Sequence, residues 1–150
     1  MVKKDYDIII HGATGFTGKL ICDYLFNHSD SKIIKWAISG RDNSKLKLIS
    51  EKYNIDSFTV DSFDFDSLHT ITSKSKLIIS VVGPYSIYGK KLVKSCVENN
   101  CHYLDITGES AFVKHIEKTY SKSAVENDTI LISCCGFESI PTDIGTYYSV

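Results

Sequence analysis

The stretch Ile8–Leu20 reads IIIHGATGFTGKL and decides the fold class. The isoleucine run is typical of a buried strand, and Gly12, Gly15 and Gly18 follow it in the pattern G-x-x-G-x-x-G. The first glycine permits a sharp turn, the second permits close approach of the backbone to a ligand, and the third permits close packing of a helix on the strand. We therefore expect a strand, a tight turn and a helix N-terminus, where the pyrophosphate of a dinucleotide can bind.

Two other kinds of glycine-rich turn compete with a dinucleotide site here. The phosphate-binding loop of nucleoside triphosphatases, G-x-x-x-x-G-K-[ST], requires glycine at Ala13 and serine or threonine at Leu20, so the sequence excludes it. A glycine-rich turn that binds no ligand stays open.

Short apolar runs alternate with helix-length segments along the chain. The predicted strands are Asp7–His11, Ile33–Ser39, Ser57–Val60, Leu77–Val82, His102–Ile106 and Thr129–Ser133. The predicted helices are Thr17–Asn27, Ser44–Tyr53, Asp66–Ser73, Lys90–Asn99 and Ser110–Glu126. Because several strands are nearly continuous in Ile, Val and Leu, we expect a parallel sheet with helices on both faces. The predicted fold class is α/β, a doubly wound parallel (Rossmann) sheet of about six strands with its ligand crevice at the carboxyl ends of the strands.

The chain shows no repeat or linker-like segment that would divide it, so we expect one domain over residues 1–150. Its last residues, Pro141–Val150, look like the start of a further helix that ends almost at once. We therefore expect the chain to be part of a longer polypeptide.

The composition excludes several classes of protein. Hydrophobic residues make up 43% and charged residues 23% of the chain, which is not the composition of a disordered protein. Because 17 basic and 18 acidic side chains give a formal net charge of -1, we expect no binding to nucleic acid. The N-terminal apolar run is too short for a signal peptide, and no run reaches the ~20 residues that span a bilayer. We therefore expect a protein that is not secreted.

The metal-binding residue types show no useful spacing. The five cysteines are odd in number and lack a C-x-x-C pair, so the sequence predicts neither a zinc site nor a disulfide framework, and a reducing compartment is expected. The five histidines are scattered singly, and none is assigned to a metal.

The end of the second predicted strand, Ile38–Asp42, is where dinucleotide-binding folds distinguish their cofactors. An acidic residue there would accept hydrogen bonds from the ribose hydroxyls of NAD, but this chain has Arg41, whose guanidinium can pair with a 2′-phosphate. Ser39 can add a hydroxyl donor. The sequence therefore favours NADP over NAD, with an ordinary solvated Arg41 paired to Asp42 as the alternative. Asp61, at the end of the third strand, either accepts a bond from the adenine amino group or caps the strand end.

The loop after the fourth predicted strand reads VVGPYSIYG over residues 81–89. Gly83 and Pro84 keep side chains away from a nicotinamide ribose. Tyr85 and Tyr88 are candidate proton donors, but no tyrosine in the chain precedes a lysine by four positions, so the Tyr-x-x-x-Lys pair of short-chain reductases is absent. We expect packing roles for both tyrosines.

Two further strand ends carry carboxylates, Asp105 and Glu109 in LDITGES and Glu138 and Asp143 in GFESIPTDIG. A desolvated carboxylate can act as a general acid or base, whereas helix-start capping explains Glu109 and Asp143 equally well. The pair Cys134–Cys135 is more typical of small core residues than of nucleophiles. The catalytic residues therefore stay unassigned.

Taken together, the motifs GATGFTG, SGR, VVGPYSIYG, LDITGES and GFESIPTDIG closely resemble those of the saccharopine dehydrogenase-like oxidoreductases, which include the trans-acting enoyl reductases of lipid synthesis. The resemblance runs over nearly the whole chain, and the last three motifs in this order and spacing are specific to that group. The GFTG loop and the SIPTD segment are most similar to the enoyl reductase and lipid-associated branch. Glu138 stands where the pattern usually has aspartate.

The resemblance implies that residues 1–150 form an NAD(P)-binding Rossmann domain. It further implies a following C-terminal α+β domain that supplies the substrate pocket and is absent from this chain. It also implies a nicotinamide cofactor held by Gly12, Thr14, Gly15, Phe16, Thr17 and Arg41, with Gly83 and Pro84 beside the nicotinamide ribose.

We therefore expect the cofactor domain of an NADP-dependent oxidoreductase that transfers hydride to or from a hydrophobic or lipid-like substrate. The expected location is the cytoplasm, an intracellular membrane or a lipid droplet. Contact with a membrane or lipid droplet through the absent C-terminal domain is left open, and so is the formation of an oligomer. A non-catalytic nucleotide-binding regulatory or scaffold protein is the alternative, because a fold does not determine a function.

Overall fold

Strands and helices alternate strictly in the computed structural model, which describes residues 3–28 and 32–150. The strands of the described chain are β1 Tyr6–His11, β2 Trp36–Gly40, β3 Asp56–Thr59, β4 Ser75–Ser80, β5 His102–Asp105 and β6 Leu131–Ile132. The helices are α1 Phe16–Asn27, α2 Asn43–Tyr53, α3 Phe65–Lys74, α4 Tyr85–Glu98, α5 Ser110–Glu126 and α6 Ile140–Tyr148.

The six strands form one parallel sheet in the order β3-β2-β1-β4-β5-β6. Strand β1 lies in the middle, with Ile10 in register with Ile38 on one side and Ile79 on the other. The strand order therefore reverses between β1 and β4, and a crevice opens at the carboxyl ends of the strands at such a switch point. The predicted α/β doubly wound fold is confirmed.

Two hydrophobic cores cover the two faces of the sheet. Neighbouring isoleucines of β1 alternate between them, because successive side chains of a strand point to opposite faces. Ile10 packs with residues of α1 and α2, such as Cys22 and Leu46, whereas Ile9 packs with residues of α3, α4 and α5, such as Leu92. Helices on both faces explain why the central strands read as nearly continuous apolar runs.

Several predicted boundaries were wrong, and β4 spans Ser75–Ser80 rather than Leu77–Val82. Strand β2 begins at Trp36 rather than at Ile33, which is 91% exposed. Strand β6 is shorter than Thr129–Ser133, because it lies at the edge of the sheet and pairs with β5 through Leu131 and Ile132. Helix α4 begins at Tyr85, five positions before the predicted start.

Helix α6 confirms that a further helix begins near Pro141. Within the described residues, no helix has the length and apolar character needed to cross a bilayer. The five cysteines form no disulfide.

Candidate functional site

A cleft of about 360 Å³ lies at the carboxyl ends of β1 to β4, where the strand order reverses. Its lining residues are His11, Gly12, Thr14, Gly15, Gly40, Arg41, Val60, Asp61, Ser62, Phe63, Val81, Val82, Gly83, Pro84 and Tyr88. The structure thus brings together seven of the ten predicted cofactor residues. A second depression of about 350 Å³ runs along α5 and β6, but its lining is mostly apolar and includes none of the glycine-rich turn. The cleft is therefore the candidate site.

The glycine-rich turn has a backbone that larger residues would obstruct. Gly12 has φ +97°, and its N–H donates to the Ser39 carbonyl at 2.8 Å. A Cβ added there would lie 2.7 Å from Val82 Cγ2. At Gly18 an added Cβ would lie 2.6 Å from Ala13 Cα and closer still to the Gly12 carbonyl oxygen. The lack of a side chain at Gly12 therefore lets the turn pack against the segment after β4, and the lack of one at Gly18 lets α1 pack against the turn.

The N-terminus of α1 opens beside this turn. Gly15 is its N-cap, and no side chain caps the helix. The first N–H groups of an α-helix have no partner within the helix, so this end presents donors and the positive end of the helix dipole. Thr14 and Gly15 line the cleft. Phe16 and Thr17 are the first two residues of α1 and lie outside the lining, with the Phe16 ring 82% exposed.

Arg41 follows directly after β2 and lines the same cleft with an exposed side chain. In residues 3–28 and 32–150, no carboxylate lies within ion-pairing distance of it. Asp42 has another role, since its Oδ1 accepts from the Lys45 N–H at 3.1 Å and caps α2 while its Oδ2 lies 3.3 Å from Lys45 Nζ. These bonds hold the pKa of Asp42 below its usual value. The alternative pairing of Arg41 with Asp42 is therefore not found.

Ser39 is placed differently from the other predicted residues. Its side chain is fully buried and lies under the cleft, where Oγ is 3.0 Å from His11 Nδ1. The Ser39 hydroxyl is therefore not beside Arg41 at the cleft surface, and the expected hydroxyl donor to a 2′-phosphate is not provided by this side chain in the structure.

His11 is a site residue that the sequence analysis missed. It ends β1, is 2% exposed, and places Nδ1 against Ser39 Oγ and Nε2 at 3.0 Å from Ser62 Oγ. Burial lowers the pKa of His11 to about 4, so the ring is neutral at pH 7. A neutral His11 ties the end of β1 to β2 and to the loop after β3. A polar residue that ends an isoleucine strand was the available signal.

The loop after β3 forms the wall of the cleft next to Arg41. Asp61 Oδ1 accepts from the Phe63 N–H at 2.8 Å, which closes a tight turn. Asp61 therefore caps the chain just after the end of β3, which is the strand-end role left open for it. Phe63 packs its ring 5.1 Å from that of Tyr88 on α4, and both residues line the cleft.

The loop after β4 forms the opposite wall with Gly83 and Pro84, which are joined by a cis peptide bond. Tyr85 is buried, and its hydroxyl donates to the Ser80 carbonyl at 3.1 Å. Burial raises the pKa of Tyr85 to about 12. This hydroxyl is therefore held inside the protein and does not line the cleft, as its expected packing role implied.

The candidate carboxylates lie outside the cleft lining. Asp105 is fully buried and accepts from the N–H groups of Thr107 at 3.0 Å and Cys134 at 3.2 Å. Glu109 accepts from the first residues of α4, which lowers its pKa. Glu138 and Asp143 are exposed around the start of α6. None of them is among the residues that line the cleft.

Comparison with known proteins identifies relatives of the chain. The profile of the family described as "Saccharopine dehydrogenase NADP binding domain" matches residues 8–132. The lipid droplet localized protein of Caenorhabditis elegans is 36% identical over 152 residues, which cover 95% of this chain and 36% of that protein. The trans-acting enoyl reductase of Mycobacterium bovis is 30% identical over 150 residues, which cover 97% of this chain and 35% of that protein.

A solved structure shares the fold. Saccharopine dehydrogenase (L-Glu forming) of Saccharomyces cerevisiae superposes with a TM-score of 0.80 at 14% identity, over 96% of this chain and 30% of that one. The profile match spans most of the chain, including the glycine-rich turn, Arg41 and the Gly83–Pro84 loop. The chain therefore belongs to the saccharopine dehydrogenase NADP-binding domain family.

Proposed function

We propose that this domain holds NADP across the cleft, with the pyrophosphate at the N-terminus of α1 and the 2′-phosphate on Arg41. The observation that carries the proposal is the position of Arg41, a cation without an acidic partner among the described residues, in the same cleft as an uncapped helix N-terminus. Both features attract anionic groups. Thr14, Gly15 and the backbone at Phe16 and Thr17 surround the pyrophosphate in this arrangement.

The two walls of the cleft receive the two ends of the cofactor. The loop of Asp61 and Phe63 lies beside Arg41 and takes the adenine end. The Gly83–Pro84 wall takes the nicotinamide ribose, because small or rigid residues there leave room for a sugar. The hydrogen-bonded side chains of His11 and Ser39 connect the ends of β1 and β2 at the base of the cleft.

The chemistry we propose is hydride transfer by an NADP-dependent oxidoreductase. NADPH, when bound, supplies the hydride, and the protein orients the cofactor and excludes competing reactions. The candidate acids Tyr85 and Glu109 lie outside the cleft lining and are bonded elsewhere: the Tyr85 hydroxyl donates to a backbone carbonyl, and Glu109 accepts from the start of α4. We propose that the substrate pocket and any proton donor are provided by a second domain outside this chain.

The chain spans 36% and 35% of the lengths of the two relatives described above, so the activity of the whole protein is part of the proposal. We propose a hydrophobic or lipid-like substrate. The names of two relatives support this proposal: the Caenorhabditis elegans protein is named for its location on lipid droplets, and the Mycobacterium bovis protein is named as an enoyl reductase.

Two measurements test the proposed function. Calorimetric titration of residues 1–150 should detect NADPH binding, whereas NADPH oxidation by the same chain should be absent with enoyl, acyl and amino-acid substrates. Turnover by these residues would show that the domain carries its own substrate site. In the full-length protein, tight NADPH binding without turnover of any of these substrates would favour the regulatory or scaffold alternative.

A further inference from the structure

Helix α4 starts without a cap of its own. Its N-cap residue is Pro84, and no side chain from the neighbouring sequence caps it. The helix nevertheless begins at Tyr85, directly behind the Gly83–Pro84 wall of the cleft. Its first N–H groups need acceptors from elsewhere, because they have none within the helix.

Glu109 supplies those acceptors from the loop after β5. Its Oε1 accepts from the Tyr85 N–H at 2.6 Å, and its Oε2 accepts from the Ser86 N–H at 2.9 Å and also from the Ser86 hydroxyl. Glu109 also occupies the N-cap position of α5 but makes no side-chain cap bond to that helix. Its carboxylate is therefore committed to α4, where the helix dipole favours a negative charge.

The Glu109 backbone is anchored to the sheet. Its N–H donates to Thr107 Oγ1 at 3.0 Å, and the Thr107 N–H donates to Oδ1 of buried Asp105 at 3.0 Å. Asp105 is the last residue of β5. A continuous series of hydrogen bonds thus connects the rigid end of β5 to the first turn of α4.

We infer that Glu109 is a positioning residue for the cofactor: it fixes the first turn of α4, and with it the Gly83–Pro84 wall, in the place that the nicotinamide ribose requires. The inference rests on the proposed function. Glu109 does not line the cleft, so it acts through the wall rather than by touching the cofactor. Arg41 lies on the other side of the cleft, so the binding of the 2′-phosphate by Arg41 should not depend on Glu109.

The test separates the two ends of the cofactor. Affinities for NADPH and for adenosine 2′,5′-bisphosphate, which lacks the nicotinamide half, are measured by calorimetry for wild type, Glu109→Ala and Glu109→Gln. Glu109→Ala should weaken NADPH roughly tenfold, the size of effect expected when charge-assisted hydrogen bonds are lost, while the bisphosphate affinity stays within about twofold. Glu109→Gln keeps one acceptor oxygen and should lose less. Glu117→Gln, an exposed glutamate two turns further along α5, is the matched control and should match wild type.

Amide hydrogen exchange without cofactor tests the cap itself. The Tyr85 and Ser86 amides should exchange faster in Glu109→Ala than in wild type and Glu117→Gln. Faster exchange with unchanged NADPH affinity, equal weakening of both ligands, or unchanged exchange would each overturn the inference. Failure of wild type to bind any nicotinamide dinucleotide would instead overturn the proposed function and the cofactor role of Glu109 with it, while the exchange comparison would still decide whether Glu109 caps α4.

Discussion

The buried His11 makes the stability of this domain sensitive to mild acid. Its pKa is about 4 in the folded protein against an ordinary 6.5, because burial disfavours the charged ring. The unfolded chain therefore binds a proton more readily than the folded one. The contribution of His11 to the free energy of unfolding is present above pH 6.5 and is lost as the pH falls toward 4. Each pH unit in this window removes about 1.4 kcal/mol, and a drop from pH 7 to pH 5 removes about 2 kcal/mol through His11.

Urea unfolding at pH 7, 6 and 5 measures this loss. His11→Gln replaces the ring with an amide that does not titrate, so its stability should fall by about 2 kcal/mol less than that of wild type between pH 7 and pH 5. His115→Gln removes an exposed imidazole on α5 and should retain the wild-type loss, because His11 is still present. Surface carboxylates titrate in all three proteins, so the difference isolates His11. Parallel pH curves for wild type and His11→Gln would refute the reasoning.

Three further substitutions test the glycine-rich turn and the end of β2. Gly15→Val should abolish NADPH binding in calorimetry, because the branched side chain would occupy the space of the pyrophosphate. Gly18→Ala should lower the urea midpoint, because its Cβ would press on backbone atoms of Gly12 and Ala13; an unchanged midpoint would contradict the close packing. Asp42→Ala should lower the urea midpoint by uncapping α2, with NADPH affinity unchanged. A loss of affinity there would make Asp42 a cofactor ligand.

The parts of the fold that follow local patterns could be predicted. The isoleucines of β1 and the glycines after them lie next to one another in sequence, so the strand, the turn and the start of α1 were readable directly. The exposed Ile33 shows the limit of local patterns, because an apolar residue forms a strand only where an adjacent strand pairs with it. Pairing of β2 with β1 begins at Trp36, opposite Ile8.

The start of α4 could not be predicted from local sequence. Gly89 lies in its interior and weakens any helix prediction, yet the structure packs it against Phe112 of α5, where an added Cβ would lie 2.7 Å from the ring. The cap on Tyr85 comes from Glu109, 24 positions away. Both features depend on the meeting of α4 with α5, which a linear pattern does not contain.

Some residues of the candidate site are marked by the local sequence, whereas others depend on contacts between distant parts of the chain. Gly12 and Arg41 line the cleft, and a turn and a strand end mark their positions in the sequence. His11 was missed and Ser39 was misplaced for one reason: the two side chains bond to each other beneath the cleft, and that contact joins residues 28 positions apart. A position at the end of a strand indicates that a residue lies near the crevice. It does not indicate whether the side chain is exposed in the cleft or bonded within the protein.

The most direct test of the account is titration of the 150-residue chain and its Arg41→Ala variant with NADPH and with NADH. A charge-assisted pair with the 2′-phosphate is worth about 1.5 to 3 kcal/mol, so wild type should bind NADPH roughly tenfold to a hundredfold more tightly than NADH. Arg41→Ala should lose most of that preference while its NADH affinity changes little. Equal affinity of wild type for the two cofactors, or equal weakening of both by Arg41→Ala, would contradict the assignment of Arg41 as the residue that selects NADP.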